Sequence, residues 1–264
     1  MLGLALALGL GLTVTAANAG PVVQGKHIEG ELVSEHASAQ PGRPLWVALR
    51  LRMEDGWHTY WRNPGDSGQA TSVEWTLPPG WKAGSIAWPF PHRIDVPPLT
   101  NFGFEGDIYL PIELKAGATA GAVELKALVR TLVCKETCIP VKLELSHRLP
   151  IQAGRPEVDA KHAGGFTESR ARLPLPLKGA TALHDDQAVL IRAPIPAGVQ
   201  ADASAIELFT IDGAMMQHAS RPSVRIRESQ VEIRFDKSDQ YDAAAKRVPA
   251  VIVFGGAQAF EIDA

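Results

Sequence analysis

The chain has 264 residues, of which 45% are hydrophobic, and a formal net charge of −3. It is apolar enough for packed cores and long enough for one large or two small domains. Its charge is spread over both halves, with no basic stripe to meet nucleic acid and no acidic tail.

Residues 2–14 form an apolar run, and Ala17, Asn18 and Ala19 make an A-x-A cleavage signature. Together they predict a secretory signal peptide over residues 1–19, with the mature chain starting near Gly20. No Lys or Arg precedes the run, and Gly3, Gly9 and Gly11 argue against an ordinary N-terminal helix. The run is too short for a comfortable transmembrane helix. Export matters because it permits disulfides.

Residues 44–53 (PLWVALRLRM) alternate, with Leu45, Val47, Leu49 and Leu51 on one face of a predicted strand. Trp57 to Trp61 read as a strand with aromatics on both faces, and residues 62–68 (RNPGDSG) as a turn. Trp57 and Trp61 suit a core, while His58 or Tyr60, facing the other way, could wall a site. Residues 97–106 (PPLTNFGFEG) read as a Gly/Pro loop carrying Leu99, Phe102 and Phe104. Those aromatics either plug the end of a domain or form a movable shield.

Residues 123–133 and 139–149 alternate as strands, with Val141, Leu143 and Leu145 sharing one face. Between them stand the chain's two cysteines, Cys134 and Cys138, flanking Lys135, Glu136 and Thr137. If the strands form a hairpin, the cysteines face each other across it. Opposed residues in an antiparallel pair lie within disulfide reach. A disulfide closing a loop of roughly five residues contributes only about 2 kcal/mol, so a pair this close suits opening and closing better than stapling. Lys135 would favour a thiolate beside it and Glu136 would oppose one. Pro140 stiffens the end of the loop.

Three other readings stand beside exchange. One is an inert hairpin disulfide in an exported binding module. The second is zinc or copper held by the two cysteines and a His, with His58, His92 and His147 available; these show no metal-ligand spacing. The third, a thioredoxin-type site, would need C-x-x-C opening a helix, and here the spacing is longer and the context is β.

Residues 151–178 are rich in Pro, Gly and charge and read as a linker, with a short helix in 156–172. Strands are predicted at 188–193, 205–211, 223–227, 230–235 and 248–254, with a hairpin turn at 227–230. The expected fold is all-β: two tandem immunoglobulin-like β-sandwich domains after the signal peptide, over residues 20–150 and 179–264. Met215, Met216 and His218 read as a turn with adjacent hydrophobes, and the second half offers no chemistry of its own.

The motifs YWRNPGDSG, WPFP, NFGFEGDIYLPIEL and LVCKETCIP, in this order, resemble the N-terminal periplasmic region of DsbD-type thiol:disulfide interchange proteins. The likeness favours the suppressor-of-copper-sensitivity protein B (ScsB) branch. It is specific over residues 40–150 and weaker over 179–264. The cysteine spacing is shorter than in enterobacterial DsbD and fits the ScsB-like branch.

The resemblance implies an immunoglobulin-like periplasmic domain with no cofactor. Its cysteine pair, Cys134 and Cys138, would receive electrons from a membrane-embedded donor on the same or a separate polypeptide. It would pass them to thioredoxin-fold partners such as disulfide isomerases, cytochrome c maturation thioredoxins or copper-stress proteins. Cys138 would attack first. The shielding cap loop maps onto Asn101 to Gly106, with Phe102 or Phe104 as the shielding ring. Tyr60, His58, Lys135, Glu136 and Pro140 are the docking candidates. The chain carries no membrane-spanning stretch or thioredoxin-like domain of its own, which suggests a fragment or a partner polypeptide supplying them.

Overall fold

The computed structural model describes residues 20–118 and 121–264; the expected signal peptide, residues 1–19, lies outside them. The chain is all-β. Its first half runs through β1 (Val23–Gly25), β2 (Ile28–Ser34), β3 (Pro44–Met53), β4 (His58–Gly65), β5 (Ser72–Thr76) and β6 (Lys82–Ile86). It continues through β7 (His92–Val96), β8 (Leu99–Glu105), β9 (Asp107–Lys115), β10 (Gly121–Cys134) and β11 (Cys138–Ile151). One sheet has the order β1-β2-β3-β9-β6, the other β11-β10-β4-β8-β7, with β5 on the flank of β10.

Alternation along these strands sets what is buried. Leu45, Val47, Leu49 and Leu51 of β3 turn inward, as do Leu125, Val129 and Val133 of β10 and Leu143 and Leu145 of β11. The two sheets meet where β2 lacks a side chain at Gly30: a Cβ there would lie 2.6 Å from Leu143. Glycine there lets the β11 leucines reach the opposite sheet.

The expected helix forms as α1 (Ala163–Ala171). The segment around it is no free linker. Phe166 is buried against Val33, Ala48, Trp46 and Tyr109 on the outer face of the first sheet. The Ser169 hydroxyl donates to the Tyr109 carbonyl at 2.8 Å, and the Arg172 guanidinium lies over Phe90.

The second half contains β12 (Leu175–Pro176), β13 (Thr181–His184), β14 (Ala188–Pro194), β15 (Ile206–Thr210), β16 (Ser223–Arg227), β17 (Gln230–Asp236), β18 (Pro249–Phe254) and β19 (Gln258–Asp263). They form two four-stranded sheets, β12-β19-β18-β15 and β13-β14-β17-β16. The predicted 227–230 hairpin turn is present, with Arg227 paired to Gln230 and Glu228 at φ +53°. No helix among the described residues is long and apolar enough to cross a membrane.

Candidate active site

The two longest strands, β10 and β11, form one antiparallel hairpin from Gly121 opposite Ile151 to Cys134 opposite Cys138. Its tip is Lys135, Glu136 and Thr137, all exposed. Cys134 and Cys138 form a disulfide, with Cα atoms 4.2 Å apart. The two cysteines are not equivalent. Cys134 is 2% exposed, whereas Cys138 stands in the open beside the exposed Pro140.

Register decides what surrounds them. Val133 and Ile139 face the core, so Cys134 and Cys138, one step along each strand, face the other way. Cys134 is also opposite His58 of β4, and His58 is opposite Glu105 of β8. Paired residues project from the same face. Cys138, Cys134, His58 and Glu105 therefore form a single row across four strands. Tyr60, two residues beyond His58, shares that face; its hydroxyl donates to Cys138 Sγ at 3.4 Å, and its ring meets His58 edge-on. His58 and Tyr60 are 3% and 0% exposed. Burial lowers the His58 pKa, against a pull upward from Glu105, and burial raises that of Tyr60.

The expected shield needs correction. Residues 101–105 are not a loop but part of β8. Phe104 is opposite Thr59, on the face away from the cysteines, and stacks on Trp88. Phe102 shares Phe104's side of the strand and packs edge-on against Phe209 and His218 of the second half. Neither ring covers the disulfide. The glycines suggested a loop, but Gly103 serves a close strand approach: a Cβ there would lie 2.1 Å from the Thr59 carbonyl oxygen.

Residues 66–71 fold instead over Tyr60. Gly68, at φ +93°, lies flat on Tyr60, and a Cβ there would be 2.2 Å from the ring. Asn101 holds this segment, its side-chain oxygen accepting from the Ser67 amide and hydroxyl at 3.1 and 2.9 Å. Asp66 accepts from the Thr100 amide at 2.8 Å and from the His218 ring at 3.0 Å. At the far end, the Thr71 hydroxyl meets Thr131 at 2.8 Å, and Thr131 meets Thr59 at 2.6 Å. In the sequence Asp66, Ser67 and Gly68 look only like turn residues, since nothing local shows that the turn folds back over Tyr60.

Of the other expected residues, Lys135 turns its ammonium to the Asp55 carbonyl at 3.5 Å. Glu136 is exposed at the tip. His92 meets the Arg172 guanidinium, and His147 is buried beside Ser34, so neither joins the cysteines. Trp61 is fully buried and packs on Phe209, while Trp57 stacks on His27. Met215 and Met216 are buried, and His218 sits in the contact between the halves.

Chemically, a disulfide between one exposed and one buried cysteine favours attack at the exposed residue.

Residues 30–150 match the family described as thiol:disulfide interchange protein DsbD, N-terminal. The fold is similar to the crystal structure of the N-terminal periplasmic domain of ScsB from Proteus mirabilis, with a TM-score of 0.68. That similarity covers 92% of this chain and 96% of the other at 18% sequence identity. No curated protein sequence matches the chain. The cysteine hairpin thus lies within the stretch that matches the DsbD N-terminal family, and the likeness in fold to the ScsB domain extends through both halves.

Proposed function

We propose that this chain is a periplasmic thiol:disulfide interchange protein whose Cys134/Cys138 dithiol reduces the disulfides of thioredoxin-fold partners. The observation that carries the reading is the unequal exposure of the two cysteines at a hairpin tip. The family match over the same residues supports it. The exposed Cys138, as thiolate, attacks one sulfur of the partner disulfide, and the other partner sulfur leaves as a thiolate. The enclosed Cys134 then loses its proton and attacks Cys138 Sγ. This releases the first partner sulfur and leaves the oxidised pair. Two electrons and two protons pass to the partner. A membrane-embedded donor, on the same or another polypeptide, restores the dithiol.

In this reading residues 20–150 are the redox domain and Tyr60, His58, Lys135, Glu136 and Pro140 border the docking surface. Residues from β12 (Leu175) to 264 are a second domain that orients the first, with 151–174 strapped between them.

Trapping tests the assignment. Cys134→Ser keeps the exposed attacker and removes the resolver, so it accumulates a mixed disulfide with an oxidised thioredoxin-fold protein. Cys138→Ser accumulates little. Should neither variant trap such a protein, exchange loses its support. A Cys134–Cys138 potential between about −120 and −270 mV fits exchange, and one below about −300 mV fits a structural bond.

A further inference from the structure

We propose that His58 is the proton acceptor for Cys134 when the reduced pair closes to a disulfide. The inference rests on the exchange reading above and adds a residue to it.

Closure requires Cys134 to become a thiolate while enclosed. A thiol held away from water resists ionising, so Cys134 needs an acceptor within the protein. The residue opposite it on β4 is His58, on the same face of the sheet. His58 Nε2 is buried and has no hydrogen-bond partner among the described residues. A buried ring nitrogen left without a partner is costly, and a role as proton acceptor accounts for its being kept. On the opposite flank stands Glu105, whose carboxylate favours the protonated ring. The row thiol, imidazole, carboxylate gives the proton a destination and a stabilising charge behind it.

Other groups nearby do not replace this pair. The Tyr60 hydroxyl points to Cys138 rather than Cys134. The Lys135 ammonium faces the Asp55 carbonyl. His92 feels the same Glu105 carboxylate but lies on β7, with Arg172 against it. Burial keeps the His58 ring neutral at neutral pH and therefore able to accept. The bonds balance. The Cys134 S–H proton moves to His58, the Cys134 sulfur bonds to Cys138 Sγ, and the departing sulfur takes the electron pair. The imidazolium then returns its proton to the leaving thiolate or to water.

The reduced protein with dithionitrobenzoate, which releases one coloured thiolate per step, separates the two events. The first release reports Cys138 forming a mixed disulfide, and the second reports Cys134 resolving it. With His58 as acceptor, the second rate levels off above the imidazole midpoint. His58→Gln slows the second release relative to the first by about a hundredfold at neutral pH. Its rate then climbs with pH without levelling. Glu105→Gln, an exposed change that tests the same point should His58→Gln fail to fold, moves the midpoint to lower pH. A second release whose rate and pH profile are unchanged in these variants overturns the proposal. The small probe reads His58 whether or not any protein partner reacts, so failure here is distinct from failure of the exchange reading.

Discussion

The two ends of the β4–β8 pair are built to different standards. Toward the second half, the chain grips with many directional contacts. Asn63 donates to the Thr210 carbonyl at 2.8 Å, Arg62 pairs with Glu261 at 2.9 Å and Arg93 donates to the His218 carbonyl at 2.7 Å. Phe102 and Trp61 both pack on Phe209. Toward the disulfide, the direct polar contact to a sulfur is the Tyr60 hydroxyl on Cys138. One end fixes an orientation, and the other, in the proposed exchange, leaves a sulfur free to change partners. Aromatic rings are concentrated at both, so ring content alone does not mark the reactive end.

Phe102→Ala tests this division most severely. The substitution empties a fully buried site in the contact between the halves and should cost about 3–5 kcal/mol of stability, read by denaturant unfolding. The reaction of Cys138 with a small aromatic disulfide should stay within about twofold. A large gain in that rate would mean Phe102 shields the sulfur after all.

The second test acts on the root of the cysteine hairpin. His147, on β11, is 2% exposed and its ring meets the Ser34 hydroxyl at 3.0 Å. Burial lowers its pKa to about 4 from 6.5. The unfolded chain therefore binds the proton first as pH falls. The stability is present above the unfolded value and is lost between about pH 6.5 and 4. The full loss is on the order of 3 kcal/mol. Melting curves across that range should show it, and His147→Gln should flatten the slope. An equally steep slope in the variant would assign the loss to another group.

Tyr60→Phe should have the smallest effect. It keeps the ring under Gly68 and removes one hydroxyl donor, worth about 0.5–1.5 kcal/mol. The first step of Cys138 with the same probe should slow by about two- to tenfold, because its thiolate loses that donor. No change would mean the contact serves packing only.

Much of the frame is legible in the sequence. Alternation places β3 at Pro44–Met53 and β16 at Ser223–Arg227, the spans the structure has. The cysteine hairpin follows from the alternating runs that flank it. What escapes is what depends on several strands at once. His58 can be suspected from its place beside Tyr60, but its position between Cys134 and Glu105 needs the register of four strands. Strand β8 is hidden because Gly103 and Gly106 imitate a loop. The Asp66–His218 contact joins residues far apart in sequence, and nothing local in either segment announces it. The 151–178 stretch looks like a linker by composition, yet a single buried side chain, Phe166, docks its helix.

The long hairpin behind the cysteines has one more consequence. Its register is held from Gly121 to Val133 by strand pairing and by leucines seated over Gly30, none of which involves sulfur. Reduction therefore leaves the outline of the domain as it was. In the proposed exchange, partners that deliver electrons and partners that collect them would meet nearly the same surface. Shape gives such a protein no means of sorting its visitors by redox state. The direction of flow is left to the difference in potential between the couples, and a spent complex must separate on changes at the sulfurs themselves.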